Sequence, residues 1–388
     1  MKKILIFIGY YLPGYKGGGQ LRTIANLVEH LSDEFEFYIV TQDRDLGDDS
    51  PYPDIEVNKW IKQKKSNIFY VSPDKISLRF INNIIKDIPH DLVYLNSFFD
   101  STFTLKVLLS KLLFKSVNKP IILAPRGEFS GGALSLKPFK KHSFIKFAKL
   151  LKLHKDVIFQ ASSELEKKDI LQGFNSTIAS RIRVAIDLPE KITIEPDASK
   201  TANELKPDKV KLIFISRISP KKNLDYALEA LSSVKINVVF DIYGPLEDVE
   251  YWARCQKLIK KLPTNIKCEY KGVLTPDLVK STFAKYDIFY FPTKGENYGH
   301  VIAEAISVGT VALISDQTPW LEMEKRKLGW SLPLADKAFF AKTIDDFAKL
   351  TAEERAISRD SCKQNAIELL NDPILIEQSR KLFREFIS

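Results

Sequence analysis

"DIFYFPTKGENYGHVIAEAISVGTVALIS", residues 287–315, sets two apolar runs around one helical pattern. "DIFYFP" (287–292) and "TVALIS" (310–315) read as buried strands, and "VIAEAI" between them places apolar residues at helical spacing. Two parallel strands joined by a crossover helix make a unit whose strands are covered on both faces.

The same alternation runs through most of the chain. Before it come "VKLIFIS" (210–216), a helix near 223–234, "NVVFDIYG" (237–244), a helix near 247–262 and "IKCEYKG" (266–272). Nearer the start, "KILIFIG" (3–9) leads through a Gly loop to the helix "QLRTIANLVEHL" (20–31). The strands "FEFYIVT" (35–41), "DLVYLNS" (91–97) and "PIILAPR" (120–126) follow, with "RFINNIIKDI" and "STFTLKVLLSKLL" as helices. The pattern fades over "IDLPEKITIEPDASKTANELKPDK", which is polar and contains three prolines. The expected architecture is α/β: two Rossmann-like, doubly wound parallel-sheet domains, 1–188 and 209–373, joined by a linker at 189–208 and facing one another across a cleft.

At 388 residues, with 45% hydrophobic and 28% charged residues, the chain has the balance of a soluble two-domain protein. No run approaches about 18 apolar residues, and the N-terminal run reads as a first strand and not a signal peptide. Cys255, Cys268 and Cys362 are scattered, which fits a reducing cytoplasm. The five histidines show no ligand spacing, and the acidic triplet at 43–45 has no partner cluster, so no metal is expected. The net charge of +9 is concentrated. Between Lys106 and Lys155 twelve Lys/Arg face a single acid, Glu128. That points to an anionic partner or to a solvated helix face.

Glu296 and Glu304 bracket the start of the 300–308 helix. The first amides of a helix and the positive end of its dipole suit a diphosphate, with Tyr298, Gly299, His300 and Val301 around it. Gly299 lets a ligand approach the backbone. Glu304, about one turn further in, is placed for ribose hydroxyls, and Glu296 for the sugar at the other end of the ligand. In "FISRISPKKNLDYALEAL" (214–231), Arg217 and Lys222 follow a strand end and supply cations for a leaving diphosphate, while Asn223 is placed to cap the next helix. Gly17, Gly18 and Gly19 permit close backbone approach to a phosphate or sugar, but the loop is not GxGxxG and no acid ends the next strand, so a nicotinamide cofactor is not expected. Arg126 and Gly127 follow a further strand end and are expected to contact an acceptor, together with Lys137, Lys140 and Lys141, which open the basic stretch. Downstream, "SFIKFAKLLKLHK" (143–155) sets Phe144, Phe147, Leu150 and Leu151 on one face and lysines on another. Such a helix suits an anionic membrane surface or an acceptor carrying phosphate, or packs its apolar face inward.

Together these motifs resemble the retaining glycosyltransferases of the GT-B fold, glycosyltransferase group 1. Glu296 and Glu304 match the E-x7-E motif, "SRISPKKN" matches a Gly-Arg…Lys phosphate motif with Ser in place of Gly, and Gly17–Gly19 match the N-terminal loop. The likeness covers nearly the whole chain and points to a bacterial branch acting on surface polysaccharide, lipopolysaccharide included.

The resemblance implies metal-independent transfer with retention from a nucleotide diphosphate sugar to a glycan or lipid-linked acceptor. The diphosphate oxygen would serve as base. It assigns Arg217 and Lys222 to the diphosphate, Glu304 to ribose, and Glu296 with Asn297–Gly299 to the sugar. Gly272, Val273 and Leu274 would meet the base. It also implies that the C-terminal helix, about 374–388, returns to the first domain. Where many members carry a His beyond the strand near 124, this chain has Arg126. The expected place of work is the cytoplasm, peripheral to the inner face of the cell membrane. Competing readings are another nucleotide-sugar enzyme such as an epimerase, or a non-catalytic nucleotide- or nucleic-acid-binding protein. Nucleic acid is disfavoured, because the aromatics of the basic stretch are spaced like a core and not like a stacking platform.

Overall fold

The computed structural model describes residues 1–135, 138–174, 176–192 and 209–387; Lys137 and residues 193–208 of the expected linker lie outside them. The chain forms two compact units, Met1–Lys191 with Asp372–Ser388, and Ile192–Asn371.

The first unit contains β1 (Lys2–Phe7), β2 (Phe35–Gln42), β3 (Trp60–Gln63), β4 (Ser66–Val71), β5 (Leu92–Asn96), β6 (Ile121–Ala124), β7 (Val157–Ala161) and β8 (Ile182–Val184). Its helices are α1 (Gly19–Leu31), α2 (Leu78–Asp87), α3 (Thr104–Phe114), α4 (Gly131–Leu134), α5 (Pro138–Leu150) and α6 (Glu164–Phe174). The strands lie in the order β3-β4-β2-β1-β5-β6-β7-β8, parallel except for the β3–β4 hairpin. Along β1, Ile4 and Ile6 join one core with Ile24 and Leu27 of α1, while Leu5 and Phe7 join another with Phe103 and Val107. Both faces are covered, which is why the strand reads as an unbroken apolar run. No strand is expected at β3 and β4 from the sequence. β3, which carries Lys62 and turns into β4 through Lys64 and Lys65, is the sheet edge, where lysines discourage pairing with other chains.

One sequence expectation is corrected in α5. Phe144, Phe147, Leu150 and Leu151 do not share a face. Phe144 and Leu151 turn inward with the buried Ile145 and Ala148. Phe139, Phe147 and Leu150 stand in solvent, 85%, 44% and 79% exposed.

The second unit contains β9 (Val210–Ile215), β10 (Val238–Tyr243), β11 (Ile266–Tyr270), β12 (Ile288–Phe291), β13 (Val311–Ser315) and β14 (Gly329–Leu332). Its helices are α7 (Leu224–Leu231), α8 (Val249–Ile259), α9 (Pro276–Phe283), α10 (His300–Ser307), α11 (Lys337–Ala348) and α12 (Ala352–Leu370). The strands are all parallel, in the order β11-β10-β9-β12-β13-β14. A final helix, α13 (Pro373–Arg384), belongs to the first unit, where the Phe383 ring lies 5.7 Å from Phe35 and 5.3 Å from Tyr94.

Candidate active site

From β9 the chain winds to one side through β10 and β11, then returns to the other side at β12. The connections after β9 and β12 therefore diverge at the carboxyl edge of the sheet, the point where open parallel sheets hold ligands. Lys222 comes from the first connection and Glu296 from the second. Lys222 Nζ donates to Glu296 Oε1 at 2.6 Å, and each side chain is 11% exposed. Thr293 Oγ1 donates to the same carboxylate oxygen at 3.0 Å, and the Phe291 ring lies 5.5 Å from the ammonium.

Two backbone-anchored bonds hold these connections together. Asn223 Nδ2 donates to the Pro292 carbonyl at 2.8 Å, and Lys294 N donates to the Lys221 carbonyl at 2.9 Å. The expectation that the Asn223 side chain caps α7 is thereby corrected: its amide is committed to Pro292, and α7 starts without a side-chain cap. Asn223 instead supplies the left-handed backbone (φ 62°) that turns the chain into the helix.

The second connection ends at Gly299 (φ 85°), immediately before α10. A Cβ there would stand 2.9 Å from Ile302 Cδ1 and 3.4 Å from Trp320 Nε1. Trp320 Nε1 donates to the Tyr298 carbonyl, and the Tyr298 ring is buried 4.8 Å from His300 and 5.4 Å from Trp320. These contacts fix the entry to α10, whose first turn, with His300 and Val301, carries no acid. Glu304 sits further along α10 and is 8% exposed. Asn297 is half-buried in the same connection.

Arg217 is not brought to this pair. Its guanidinium is exposed and bonds Glu247 at 2.7 Å, on the connection after β10. Gly272 follows β11, its carbonyl accepting from Gly244 N at 2.8 Å, while Val273 is 55% exposed and Leu274 half-buried.

In the first unit, Gly18 (φ 73°) precedes α1, and a Cβ on it would meet nothing within 4 Å; one on Gly17 would lie 2.9 Å from Tyr10 Cβ. Gly19 is the first residue of α1.

Arg126 is a correction. It was expected to contact an acceptor, yet its side chain is 7% exposed and its donors are committed within the protein. Nη1 pairs with Asp187, Nη2 donates to Tyr94 Oη at 2.6 Å and to Asn96 Oδ1 at 2.8 Å, and Nε donates to Asn96 Oδ1 at 3.2 Å. The Gly127 amide is likewise taken, by Glu166. Lys140 is exposed, whereas Lys141 Nζ donates to the Ala133 carbonyl at 2.7 Å. Beside them, burial pushes the Glu128 carboxyl up to about 7, against the amides of Phe98 and Phe99 and the Ser97 hydroxyl that it accepts from.

Residues 196–369 match the family model for glycosyl transferases group 1. The match takes in most of the second unit. A protein from the cps region of Klebsiella pneumoniae, uncharacterized and of 41.2 kDa, is 22% identical to this chain over 228 residues. The match takes in 58% of this chain and 60% of that protein's length.

Two solved structures resemble the chain over 99% of its length. One is HepE of Anabaena in complex with UDP-glucose, covered in full, with a TM-score of 0.70 and 15% identity. The other is sucrose-phosphate synthase of Thermosynechococcus elongatus, 99% covered, with a TM-score of 0.71 and 13% identity. Likeness at this identity carries the fold: two Rossmann-like parallel-sheet units, the GT-B fold.

Several residues that shape the two units escaped the sequence reading. Gly244 (φ 135°) is one, since a Cβ there would fall 1.8 Å from the Ser216 carbonyl oxygen. It lets the connection after β10 press against the start of "SRISPKKN". Thr293 is another, an ordinary Thr until Glu296 folds back onto it. In the first unit the buried Asp45 accepts from the amides of Tyr15 and Lys16 at 2.7 and 2.9 Å and so fixes the approach to the glycine loop. Among the described residues no group of three or more His, Cys, Asp or Glu could hold a metal ion, and no helix is long and apolar enough to cross a membrane.

Proposed function

We propose that the chain transfers a sugar, with retention of anomeric configuration and without a metal, from a nucleotide diphosphate sugar to a glycan or lipid-linked acceptor in the synthesis of surface polysaccharide. The observation that carries this reading is the Lys222–Glu296 pair, held at 2.6 Å beside the start of α10 at the switch point of the second sheet. Negative charge grows on the diphosphate as the bond from the sugar C1 to its oxygen breaks. Lys222, with Arg217 released from Glu247, takes up that charge. The acceptor oxygen bonds to C1 from the same face, and its proton passes to the departing phosphate oxygen.

In this reading Glu296 faces sugar hydroxyls with Asn297–Gly299, Glu304 accepts from the ribose, and Gly272–Leu274 meet the base. The complexed UDP-glucose in HepE and the cps-region origin of the Klebsiella relative support the donor class and the pathway. The work is placed in the cytoplasm at the inner face of the membrane.

The test is thermal stabilisation by UDP-, GDP-, ADP- and dTDP-sugars, followed by turnover of the donor that stabilises. A selective shift that Lys222→Met abolishes is the expected result. Absence of any shift, or a stabilising donor whose turnover is unaffected by Lys222→Met and Glu296→Gln, would overturn the assignment.

A further inference from the structure

In the first unit the turn after α5 meets the end of α6 and the following 3-10 turn, forming an open cavity of about 380 Å³. Lys149, Lys152, Lys155 and Arg181 line it, with His154, Thr177 and the buried ring of Phe174. Among the described residues no carboxylate lines it. Among the described residues none of these four cations is ion-paired. Lys149 Nζ lies 5.7 Å from the Phe174 ring centroid. Arg181 is anchored through one nitrogen, Nη1 donating to the His154 carbonyl at 2.6 Å, which leaves its other donors for a ligand. Lys111 in the last turn of α3 donates to the Lys155 carbonyl at 2.8 Å and lies 4.0 Å from the exposed Asp156, so the rim holds one further cation that is already paired. Four cations around one concavity repel one another, and an anion with several acceptor oxygens relieves that repulsion.

The surroundings say where such an anion comes from. On α5, Phe139, Phe147 and Leu150 recur at helical spacing as an apolar stripe in solvent. Exposed lysines Lys140 and Lys146 flank it, and Lys149 joins the stripe to the cavity. The last turn of α3, tied to the cavity rim through Lys111, exposes Leu112, Leu113 and Phe114. Apolar side chains beside unpaired cations match the chemistry of a bilayer interface, where acyl chains lie under phosphate headgroups.

We propose that the cavity of Lys149, Lys152, Lys155 and Arg181 binds the phosphate headgroup of an anionic lipid while the exposed faces of α5 and α3 enter the interface. This rests on the reading that the acceptor is reached at a membrane, and it names the surface that makes the contact. Burial holds the His154 imidazole below its ordinary value, so the ring adds no charge of its own near neutral pH.

The test is cosedimentation of the full chain with phosphatidylcholine vesicles, with and without phosphatidylglycerol, and with no sugar nucleotide present. The expected result is binding only to the anionic vesicles. The K152N/K155Q variant weakens it roughly thirtyfold, about fivefold per cation; Asn suits the left-handed backbone of Lys152 (φ 52°). The F139S/L150S variant weakens it by roughly tenfold or more. Equal binding to neutral vesicles, or anionic binding unchanged in K152N/K155Q, would overturn the proposal. So would saturable stabilisation by inorganic phosphate without vesicle binding. Neither variant touches the Lys222–Glu296 site, so donor-induced stabilisation survives in both, and failure here is separable from failure of the proposed function.

Discussion

Removing Lys222 tests the buried pair directly. Unit charges 2.6 Å apart attract by about 6 kcal/mol at an effective dielectric near 20, before desolvation is counted. Desolvation offsets much of this. Both side chains retain some contact with water, and after Lys222→Met the Glu296 carboxylate still accepts from Thr293. The net loss is therefore about 2–3 kcal/mol, below the roughly 3–5 kcal/mol of a fully enclosed pair.

Glu296→Gln alone strands the ammonium at similar cost, and the double variant recovers about 2 kcal/mol of the summed losses, because neither charge is left behind. Urea unfolding followed by tryptophan fluorescence reads this cleanly in a Trp60→Phe background, since Trp252, Trp320 and Trp330 all lie in the second unit. Donor turnover of Lys222→Met falls by roughly 10²–10³. Strict additivity of the two single losses in the double variant would show that the pair does not form in solution. Turnover within a few-fold of the parent would remove Lys222 from the chemistry.

Three further outcomes follow from the geometry. Glu247→Gln frees Arg217 from an exposed pair, changing stability by less than about 1 kcal/mol while tightening donor binding in calorimetry; weaker binding would take Arg217 away from the diphosphate. Gly299→Ala places a methyl 2.9 Å from Ile302 Cδ1 at φ 85°, and unfolding should show a loss of about 1–3 kcal/mol in the second unit. For Glu128, the folded carboxyl titrates at about 7 and the ordinary one at 4.5, so across that window the folded state holds a proton that the unfolded chain has lost. Stability of the first unit then falls as pH rises through the window, by on the order of 1–3 kcal/mol, and Glu128→Gln flattens the slope; an equal slope in the variant would refute the assignment.

The parallel sheets were legible because strands buried on both faces leave unbroken apolar runs such as 288–291 and 311–315. The meeting of Lys222 with Glu296 was not, since it depends on β9 and β12 being neighbours, a matter of strand order that no local pattern states. Arg126 misled for the same reason. Its position after a strand end suggested a ligand contact, but Asp187, Asn96 and Tyr94 reach it from distant segments and occupy its donors. On α5 the four apolar residues near the helix end were visible, and their division between core and solvent was not. That division is set by how the helix is rotated against Phe98, Phe99 and Phe174, which the spacing alone leaves open.

The packing of α13 has a consequence for synthesis. Leu382 and Phe383 complete a core that begins with Ile4 and Ile6. The second unit is continuous in sequence, from Ile192 to Asn371, and precedes α13. On the ribosome, then, the part made first is finished last: the part of one sheet face around Phe35 and Tyr94 that α1 leaves open stays uncovered until residues beyond 371 emerge. The later-made second unit meanwhile has all of its own residues in hand and is free to close first. For the nascent chain, the apolar face awaiting α13 is the segment most in need of shielding from aggregation.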